Sequence, residues 1–305
     1  MPAEVFGPKY PFLKSKQLLT FSEIVRLARI AESFGIQKIR LTGGEPLLRR
    51  KMPDLVKQLS NETGIQDIAL TTNGLLLPKY AVQLKKNGLK RINLSLDALD
   101  TLTFRKMSGG YGNLETVVRA IELCRELEFP MKINAVLKNG VNDNQIVPLL
   151  EFGMRRGIEV RFIEYMDVGN SNHWIRADVV SEKAILDTLS RYFGWIAPMP
   201  DTPTAVSRYY RIAERNYVFG IIASISRPFC GGCVRARISS DGKLYTCLFA
   251  NTGFDLRELL RSGIDDAEIR EQLRRVWQLR DDRYSELRGI TGKKTGSVEM
   301  PYIGG

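Results

Sequence analysis

Three cysteines close together in the last third of the chain are the residues best placed to do chemistry. Cys230 and Cys233 are separated by two glycines, and Cys247 follows after thirteen intervening residues. A Cys-x2-Cys turn lets two thiolates bind one metal centre, and a third thiolate nearby extends the ligand set. The fourth cysteine, Cys124, lies in an apolar pattern at helical spacing, which indicates a core residue.

The residues around these cysteines favour an iron-sulfur cluster over zinc. A structural zinc site takes four closed ligands, and the single histidine, His173, is distant in sequence. A cluster held by three cysteines leaves one iron open. Arg235 and Arg237 alternate on a strand-like run that turns at Asp241-Gly242, so both should project beside the cluster and bind an anion. Zinc and unliganded thiols remain the alternatives.

The composition is ordinary for a globular protein, with 44% apolar and 26% charged residues among 305. No apolar run is long enough to span a bilayer and the amino terminus has no basic-then-apolar leader, so we expect a cytoplasmic protein without membrane contact. Clustered cysteines then favour metal over disulfides. The net charge of +11 predicts an anionic partner such as a nucleoside triphosphate. Nucleic acid is disfavoured because the basic residues are spread through the chain.

Alternating helical and strand-like patterns predict an α/β fold. Five β-rich runs are each joined to the next by a helical stretch, and they lie near residues 38–43, 67–72, 91–96, 131–137 and 159–166. This order implies a parallel sheet with right-handed crossovers, which a barrel or partial barrel fits best. We expect residues 1–190 to form this part. Residues 191–305 should form a smaller, cysteine-carrying region that closes over its open face.

Polar and glycine-rich residues follow most of the predicted strands. The segments are Thr42-Gly-Gly-Glu45, Thr71-Thr-Asn-Gly74, Ser95-Leu-Asp97 and Glu164-Tyr-Met166. Active sites of such folds lie at the carboxyl ends of the strands. Turn chemistry explains any one of these segments, but four on the same rim indicate a site.

Together these motifs resemble those of a known enzyme family. The segments that carry the resemblance are Leu41-Thr-Gly-Gly-Glu-Pro-Leu47, Thr71-Thr-Asn-Gly74, Asn93-Leu-Ser-Leu-Asp97, the three cysteines with Arg235 and Arg237, and the terminal Gly304-Gly305. The chain is similar along its whole length to the molybdenum cofactor biosynthesis protein A family, the radical S-adenosylmethionine (SAM) GTP 3',8-cyclases. The resemblance implies a partial (β/α) barrel with a C-terminal cluster-binding region, and a role in the first step of molybdopterin synthesis.

The resemblance also implies which residues bind which ligand. Positions that match SAM contacts are Gly44, Ser95 and Met166, with Glu45 and Asn73 on the same rim. Positions that match GTP contacts are Arg40, Thr71, Lys132, Arg161, Arg235 and Arg237, although a partly buried ion pair would by itself explain Arg40 or Lys132. The metal ligands are Cys230, Cys233 and Cys247, which would hold a 4Fe-4S cluster whose open iron takes a purine nitrogen. The implied reaction is hydrogen removal from the ribose 3' carbon by a 5'-deoxyadenosyl radical, followed by attack of the carbon radical on guanine C8.

One departure from the family pattern is visible. The family carries a Cys-x3-Cys-x2-Cys loop for the cluster on which SAM is cleaved, and residues 1–305 contain no such motif. Met1-Pro-Ala-Glu4 resembles the segment directly after that loop, so we expect the first barrel strand and the second 4Fe-4S cluster to be missing. A truncated GTP-binding iron-sulfur protein without SAM cleavage, or a peptide-modifying radical SAM enzyme with an auxiliary cluster, are the alternatives. The resemblance further implies a homodimer, and the electron donor is undefined.

Overall fold

The computed structural model describes residues 13–169, 172–201, 204–288 and 298–303, and its main feature is an eight-stranded sheet. The strands of this sheet are β1 (Lys38–Leu41), β2 (Asp67–Thr72), β3 (Arg91–Ser95), β4 (Met131–Leu137), β5 (Glu159–Glu164), β6 (Ile196–Pro198), β7 (Arg208–Ile212) and β8 (Tyr217–Ile222). The helices are α1 (Phe21–Glu32), α2 (Met52–Glu62), α3 (Leu77–Lys86), α4 (Thr101–Met107), α5 (Leu114–Glu126), α6 (Ile146–Arg156), α7 (Glu182–Phe193), α8 (Leu256–Arg261), α9 (Asp266–Gln278), α10 (Tyr284–Leu287) and α11 (Met300–Ile303).

The order of strands in the sheet is β1, β2, β3, β4, β5, β8, β7, β6. Strands β1 to β5 and β8 run parallel, while β7 and β6 complete the edge in antiparallel pairing. The five predicted strands and their connecting helices are therefore confirmed. The sheet is open: among the described residues it does not close into a barrel.

The two faces of the sheet have different chemistry because side chains alternate along a strand. One face is apolar and packs against the helices, with Ile68, Leu70, Ile92, Leu94 and Ile133 each at most 1% exposed. Parallel sheets are usually covered by apolar side chains on both faces. Here the second face carries charged and amide side chains, among them Lys132, Arg161 and Asn93.

A second, smaller sheet contains the cysteine region. Its strands are β9 (Arg237–Ile238), β10 (Lys243–Tyr245) and β11 (Phe254–Asp255), in the order β11, β10, β9. Leu244 of this sheet packs with Leu256 and Leu260 of α8 and with Leu27 and Ile30 of α1 in a separate apolar cluster. This packing fixes the cysteine region relative to the first helix of the larger sheet.

Local capping explains where α1 begins. The Thr20 hydroxyl accepts a hydrogen bond from the Glu23 amide at 3.2 Å, and the Glu23 carboxylate accepts one from the Thr20 amide at 2.6 Å. Thr20-Phe-Ser-Glu23 therefore forms a capping box, as its sequence pattern indicates. Arg261 of α8 donates to the same carboxylate at 2.7 Å, which adds a polar contact between α1 and the cysteine region.

None of the described helices is both long and apolar enough to cross a membrane.

Candidate active site

Three rows of in-register residues cross the polar face of the large sheet. Neighbouring residues in parallel register point to the same side, so each row presents its side chains together. The first row is Arg40, Ala69 and Arg91; the second is Thr71, Asn93, Lys132 and Glu159; the third is Ser95, Asn134, Arg161, Gly220 and Tyr209. Four of the six residues expected to bind GTP therefore lie on this one surface.

Several polar atoms in these rows are buried without a hydrogen bond to any described residue. They are Thr71 Oγ1, Asn93 Nδ2, Asn134 Oδ1 and Arg161 Nε, four of the seven such side-chain atoms in the described part of the chain. A buried unsatisfied polar atom costs about 1–3 kcal/mol. Such a concentration on one face is what a site for a polar ligand produces, because the ligand supplies the missing partners.

Arg40 is the cation of this face with the least compensation. The residue lies on the edge strand β1 and keeps an exposed part although protein surrounds its guanidinium group, and it makes no hydrogen bond or ion pair with the described residues. Desolvation by the surrounding protein lowers its pKa to about 10, and nearby positive charges lower it further. Those charges belong to Arg161, Arg91, Arg237 and Arg235. An anion bound here would relieve this repulsion.

Two carboxylates offset part of the positive charge. Asp67 accepts hydrogen bonds from Arg91 at 2.8 and 3.1 Å. Glu159 accepts one from Lys132 Nζ at 2.8 Å and one from the Tyr209 hydroxyl at 3.3 Å. Lys132 thus forms the partly buried ion pair that was the alternative explanation for this residue, whereas Arg40 forms none with the described residues.

Arg161 is the most buried cation of the face, with 8% of the residue exposed. Its Nη2 donates to Asn93 Oδ1 at 2.8 Å, and its Nε lies 3.7 Å from Glu159 Oε1, too far for a hydrogen bond. Burial lowers the pKa of Arg161, and the nearby Glu159 charge opposes that effect. Arg161 Nε is therefore a buried donor without a hydrogen bond to the described residues.

The cysteine region is a turn followed by the predicted hairpin. Strands β9 and β10 pair in antiparallel register, with Gly242 in the left-handed region (φ 89°) at the turn, so the hairpin prediction is confirmed. The strand itself covers only Arg237 and Ile238, and Arg235 lies in the extended segment before it. Exposure alternates from Cys233 to Ile238, with Cys233, Arg235 and Arg237 on the less exposed side.

Two arginines stabilise the thiolate of Cys233. Burial by itself would raise the pKa of this thiol, but hydrogen bonds from Arg280 and from Arg235 outweigh it and lower the pKa to about 7. The Arg280 side chain also donates to the Cys233 carbonyl at 2.6 Å. The thiolate is the form that binds metal, so this residue is prepared to act as a ligand.

Contacts link the cysteines in pairs, and the first is a hydrogen bond from the Cys233 amide to the Cys230 carbonyl at 3.1 Å. The charge of Cys230 contributes to the raised pKa of Cys247, whose main cause is burial, and the charges of Cys247 and Cys233 both act on Arg237. The Phe249 amide donates to Cys247 Sγ at 3.4 Å, as amides do to thiolate ligands. This soft, N–H-supported donor set fits an iron-sulfur cluster. Among the described residues, no three His, Cys, Asp or Glu side chains gather around one point as they would for a single metal ion.

The residues expected to bind SAM lie along the carboxyl ends of β1, β2, β3 and β5. Glu45 connects two of these ends, since it accepts hydrogen bonds from the Thr72 hydroxyl and the Asn73 amide, both at 2.8 Å. Desolvation raises the pKa of this carboxyl group. Gly44 is exposed beside it. The structure thus brings Gly44, Glu45 and Asn73 together.

Ser95 and Met166 occupy the other half of this rim. Ser95 is exposed at the end of β3, and Met166 follows β5, where its carbonyl accepts a hydrogen bond from Asn172 at 2.8 Å. Glu164, at the end of β5, has a structural role because its carboxylate accepts bonds from the amides of Glu182, Ile225 and Ser226.

The cations of the polar face lie inside the strands and not at the carboxyl ends where the motifs lie. Arg40 and Arg161 lie within β1 and β5, and Lys132 is the second residue of β4. Residues of the same face that were missed are Arg91, Asn93, Asn134, Glu159 and Tyr209. Their signal was the alternation of polar and apolar residues inside each strand.

The end of the chain approaches the cysteine hairpin. The Tyr302 hydroxyl donates a hydrogen bond to the Asp241 carboxylate, and Ile303 is 1% exposed. Asp241 itself is buried and accepts a second bond from the Ser239 hydroxyl. Gly304 and Gly305, which carried part of the family resemblance, lie outside the described residues.

Comparisons with known proteins show which family this chain belongs to. The Radical SAM superfamily matches residues 6–153, and Molybdenum Cofactor Synthesis C matches residues 158–286. The GTP 3',8-cyclase of Staphylococcus epidermidis is 43% identical over 309 aligned residues, which cover 100% of this chain and 91% of the relative. A GTP 3',8-cyclase of Staphylococcus aureus matches with the same identity and coverage.

Among solved structures, native anSMEcpe with bound AdoMet and Cp18Cys peptide superposes with a TM-score of 0.53. The identity is 16%, over 86% of this chain and 77% of that one, so the likeness shows the fold alone. The Radical SAM match, over the residues that form most of the open parallel sheet and its glycine-rich rim, places the chain in the radical SAM class of α/β proteins. Within that class, the chain belongs to the GTP 3',8-cyclase family. The family and enzyme class predicted from sequence are confirmed, and iron-sulfur and SAM chemistry follow from this membership.

Proposed function

We propose that this chain acts as a GTP 3',8-cyclase in molybdenum cofactor synthesis, with GTP bound on the polar face of the large sheet. The observation that carries the proposal is the group of cations gathered on this face, where Arg40 and Arg91 lie in the first row and Arg161 in the third. Arg235 and Arg237 are close enough that their charges add to the desolvation that lowers the pKa of Arg40. Of the ligands in the family reaction, a triphosphate fits this cation group best, because each arginine guanidinium can bind two phosphate oxygens at once.

The GTP ligands proposed from sequence fit this arrangement. Arg40, Lys132, Arg161, Arg235 and Arg237 supply the charge, and Thr71 supplies a buried hydroxyl whose oxygen makes no hydrogen bond to the described residues. The row structure adds Arg91, Asn93 and Asn134 as further candidates, of which the two amides carry unsatisfied atoms. Polar groups at fixed positions on rigid strands can orient the nucleotide before reaction.

We assign SAM to the rim formed by Gly44, Glu45, Asn73, Ser95 and Met166. When bound there together with the second 4Fe-4S cluster, whose Cys-x3-Cys-x2-Cys ligands residues 1–305 do not contain, SAM would supply the radical chemistry that removes hydrogen from the ribose 3' carbon. The chain's own contribution is placement. Glu45 holds the ends of β1 and β2 together, so that the rim and the polar face keep a fixed relation.

The proposed cluster ligands are Cys230, Cys233 and Cys247, in a 4Fe-4S cluster with one iron open to a purine nitrogen. Arg235 supports this role because it contacts Cys233 and also belongs to the cation group of Arg40. Cluster and triphosphate site are therefore adjacent parts of one site. The division of the chain near residue 190, a homodimer and a cytoplasmic location remain proposals that depend on the family resemblance and on cysteine usage.

The experiment is calorimetric titration of GTP and of guanosine into anaerobically reconstituted protein, comparing wild type with Arg40→Ala. We expect Arg40→Ala to weaken GTP binding about tenfold or more, and guanosine binding much less, since only GTP carries the triphosphate. Lys86→Ala is the matched control, because this exposed lysine belongs to α3 on the apolar side of the sheet. Equal GTP affinity in wild type and Arg40→Ala would refute the placement of the triphosphate.

A further inference from the structure

Gly220 lies inside β8, where the sheet register places it between Arg161 of β5 and Tyr209 of β7. Its backbone is not among the glycines with positive φ, so no left-handed conformation requires a glycine here. The residue is buried. The neighbouring side chains therefore explain why this position holds a glycine.

The space above Gly220 is filled by two other residues. A Cβ atom added at this position would lie 2.2 Å from Ser207 Oγ, 2.9 Å from Arg161 Cγ and 3.5 Å from Arg161 Cδ. Contacts below 3.0 Å require one of the partners to move. Ser207 is 5% exposed, so its movement is limited to rotation of the hydroxyl. The added Cβ would contact Arg161 at Cγ and Cδ, in the aliphatic part of its side chain.

The course of the Arg161 side chain explains why this contact matters. The aliphatic part passes over Gly220, and the guanidinium group reaches Asn93 Oδ1 at 2.8 Å on β3. The Nε atom of the same group is buried without a hydrogen bond to the described residues. A displacement at Cγ would move the whole guanidinium group and redirect its unused donor.

We propose that Gly220 is a positioning residue of the nucleotide site: its missing side chain leaves the path along which Arg161 reaches the polar face. The inference depends on the proposed role of Arg161 in GTP binding. Gly220 itself needs no contact with the nucleotide, because it acts through Arg161.

The test is a double-mutant cycle of Gly220→Ala and Arg161→Ala, read by titration of GTP into protein with matched iron content. We expect Gly220→Ala to weaken GTP binding about tenfold or more. The double variant should bind no more weakly than Arg161→Ala, because Gly220 has no effect once Arg161 is gone. Unchanged affinity in Gly220→Ala, or two effects that simply add, would overturn the proposal.

A second variant separates positioning from damage to the fold. Ser207→Gly combined with Gly220→Ala removes the 2.2 Å contact and leaves the contact with Arg161. This variant should unfold at a temperature close to that of wild type yet keep the weakened GTP binding. If it recovers wild-type affinity, Ser207 was the relevant neighbour and the proposal is wrong.

Failure of the proposed function would look different from failure of this inference. If Arg40→Ala weakens GTP binding while Gly220→Ala does not, the triphosphate site stands and only the role of Gly220 is lost. If neither Arg40→Ala nor Arg161→Ala changes GTP affinity, the nucleotide does not bind on this face.

Discussion

Arg235 directs two N–H groups at the sulfur of Cys233, with Nε and Nη2 at 3.2 and 3.1 Å from Sγ. The same guanidinium group stacks over the Phe229 ring at 5.0 Å, which limits its movement. Its charge also reaches Arg40 on β1. One side chain therefore connects the cysteine region electrostatically with the polar face of the large sheet.

The first prediction concerns the cluster. Reconstituted anaerobically, residues 1–305 should bind about four irons per chain, because one set of three suitably spaced cysteines is present. Cys233→Ser should abolish the brown chromophore and the bound iron. Cys124→Ser is the control: this residue is 0% exposed in α5, where burial raises its pKa to about 12, so iron content should not change. Stoichiometric zinc without iron would contradict the prediction.

The second prediction concerns the arginine pair. Replacing Arg235 and Arg237 together with Ala should remove charge-assisted hydrogen bonds worth about 1.5–3 kcal/mol each and weaken GTP binding by one to several orders of magnitude. The cluster should still assemble, because its three thiolates remain. Calorimetric titration at matched iron content measures the difference.

A matched control for this pair exists on α9. Arg274 and Arg275 are adjacent exposed arginines that pair with Glu271 at 2.9 and 3.1 Å. Surface pairs of this kind contribute little, so replacing both with Ala should leave GTP affinity unchanged. Equal dissociation constants for the two double variants would remove the binding role of Arg235 and Arg237.

Most of the fold could be predicted from the sequence because its signals are local. Thr20 and Glu23 define the start of α1, and glycine-to-strand junctions such as Gly88 to Leu94 define the strands. The position of β8 between β5 and β7 could not be predicted, since it depends on contacts between residues far apart in sequence. Nothing local distinguishes a strand that joins the large sheet from one in a separate region.

The site was predicted less completely for a related reason. The motifs marked the rim, so Glu45 and Asn73 were placed correctly near each other. Arg91 and Asn134 belong to no motif, and their presence on the site depends on which face of the strand meets the helices. The alternation of polar and apolar residues could have indicated them. A parallel strand normally has apolar residues throughout, so a strand with a polar residue at every second position presents one polar face.

The third prediction concerns Glu159, the carboxylate that lies among the cations. Glu159→Gln keeps one oxygen that can accept from Lys132 and places its NH2 group beside the Tyr209 hydroxyl, which can accept a hydrogen bond, while it removes one negative charge near the proposed triphosphate. We expect GTP to bind more tightly, by about 1 kcal/mol or fivefold at low salt, with the gain shrinking at high salt. Titrations at two salt concentrations measure it. Glu151→Gln, on the outer helix α6, should have no effect, and weaker GTP binding in Glu159→Gln would contradict this argument.

The last prediction is a pH dependence of stability due to Asp97. Burial raises the pKa of this carboxyl group from 3.8 to about 6, although the Val136 amide donates a hydrogen bond to it at 2.8 Å. For a group whose pKa is raised on folding, the stabilising contribution is complete below the unfolded pKa and is lost as the pH rises through the folded pKa. Asp97 should therefore lower the free energy of unfolding progressively between about pH 4 and pH 6. The decrease should be complete, and no longer change with pH, above that range.

Asp97→Asn removes this penalty, since the amide oxygen can still accept from Val136 while carrying no charge. The variant should gain stability over wild type as the pH rises from 5 to 7.5, by up to roughly 3 kcal/mol at the upper end. Urea unfolding at several pH values measures the gain. Asp100→Asn is the control, because Asp100 is an exposed N-cap whose hydrogen bond from the Thr103 amide lowers its pKa, so that it should show no such gain. A variant at Asp97 that is less stable than wild type at pH 7.5 would mean that the folded protein favours the charged carboxylate.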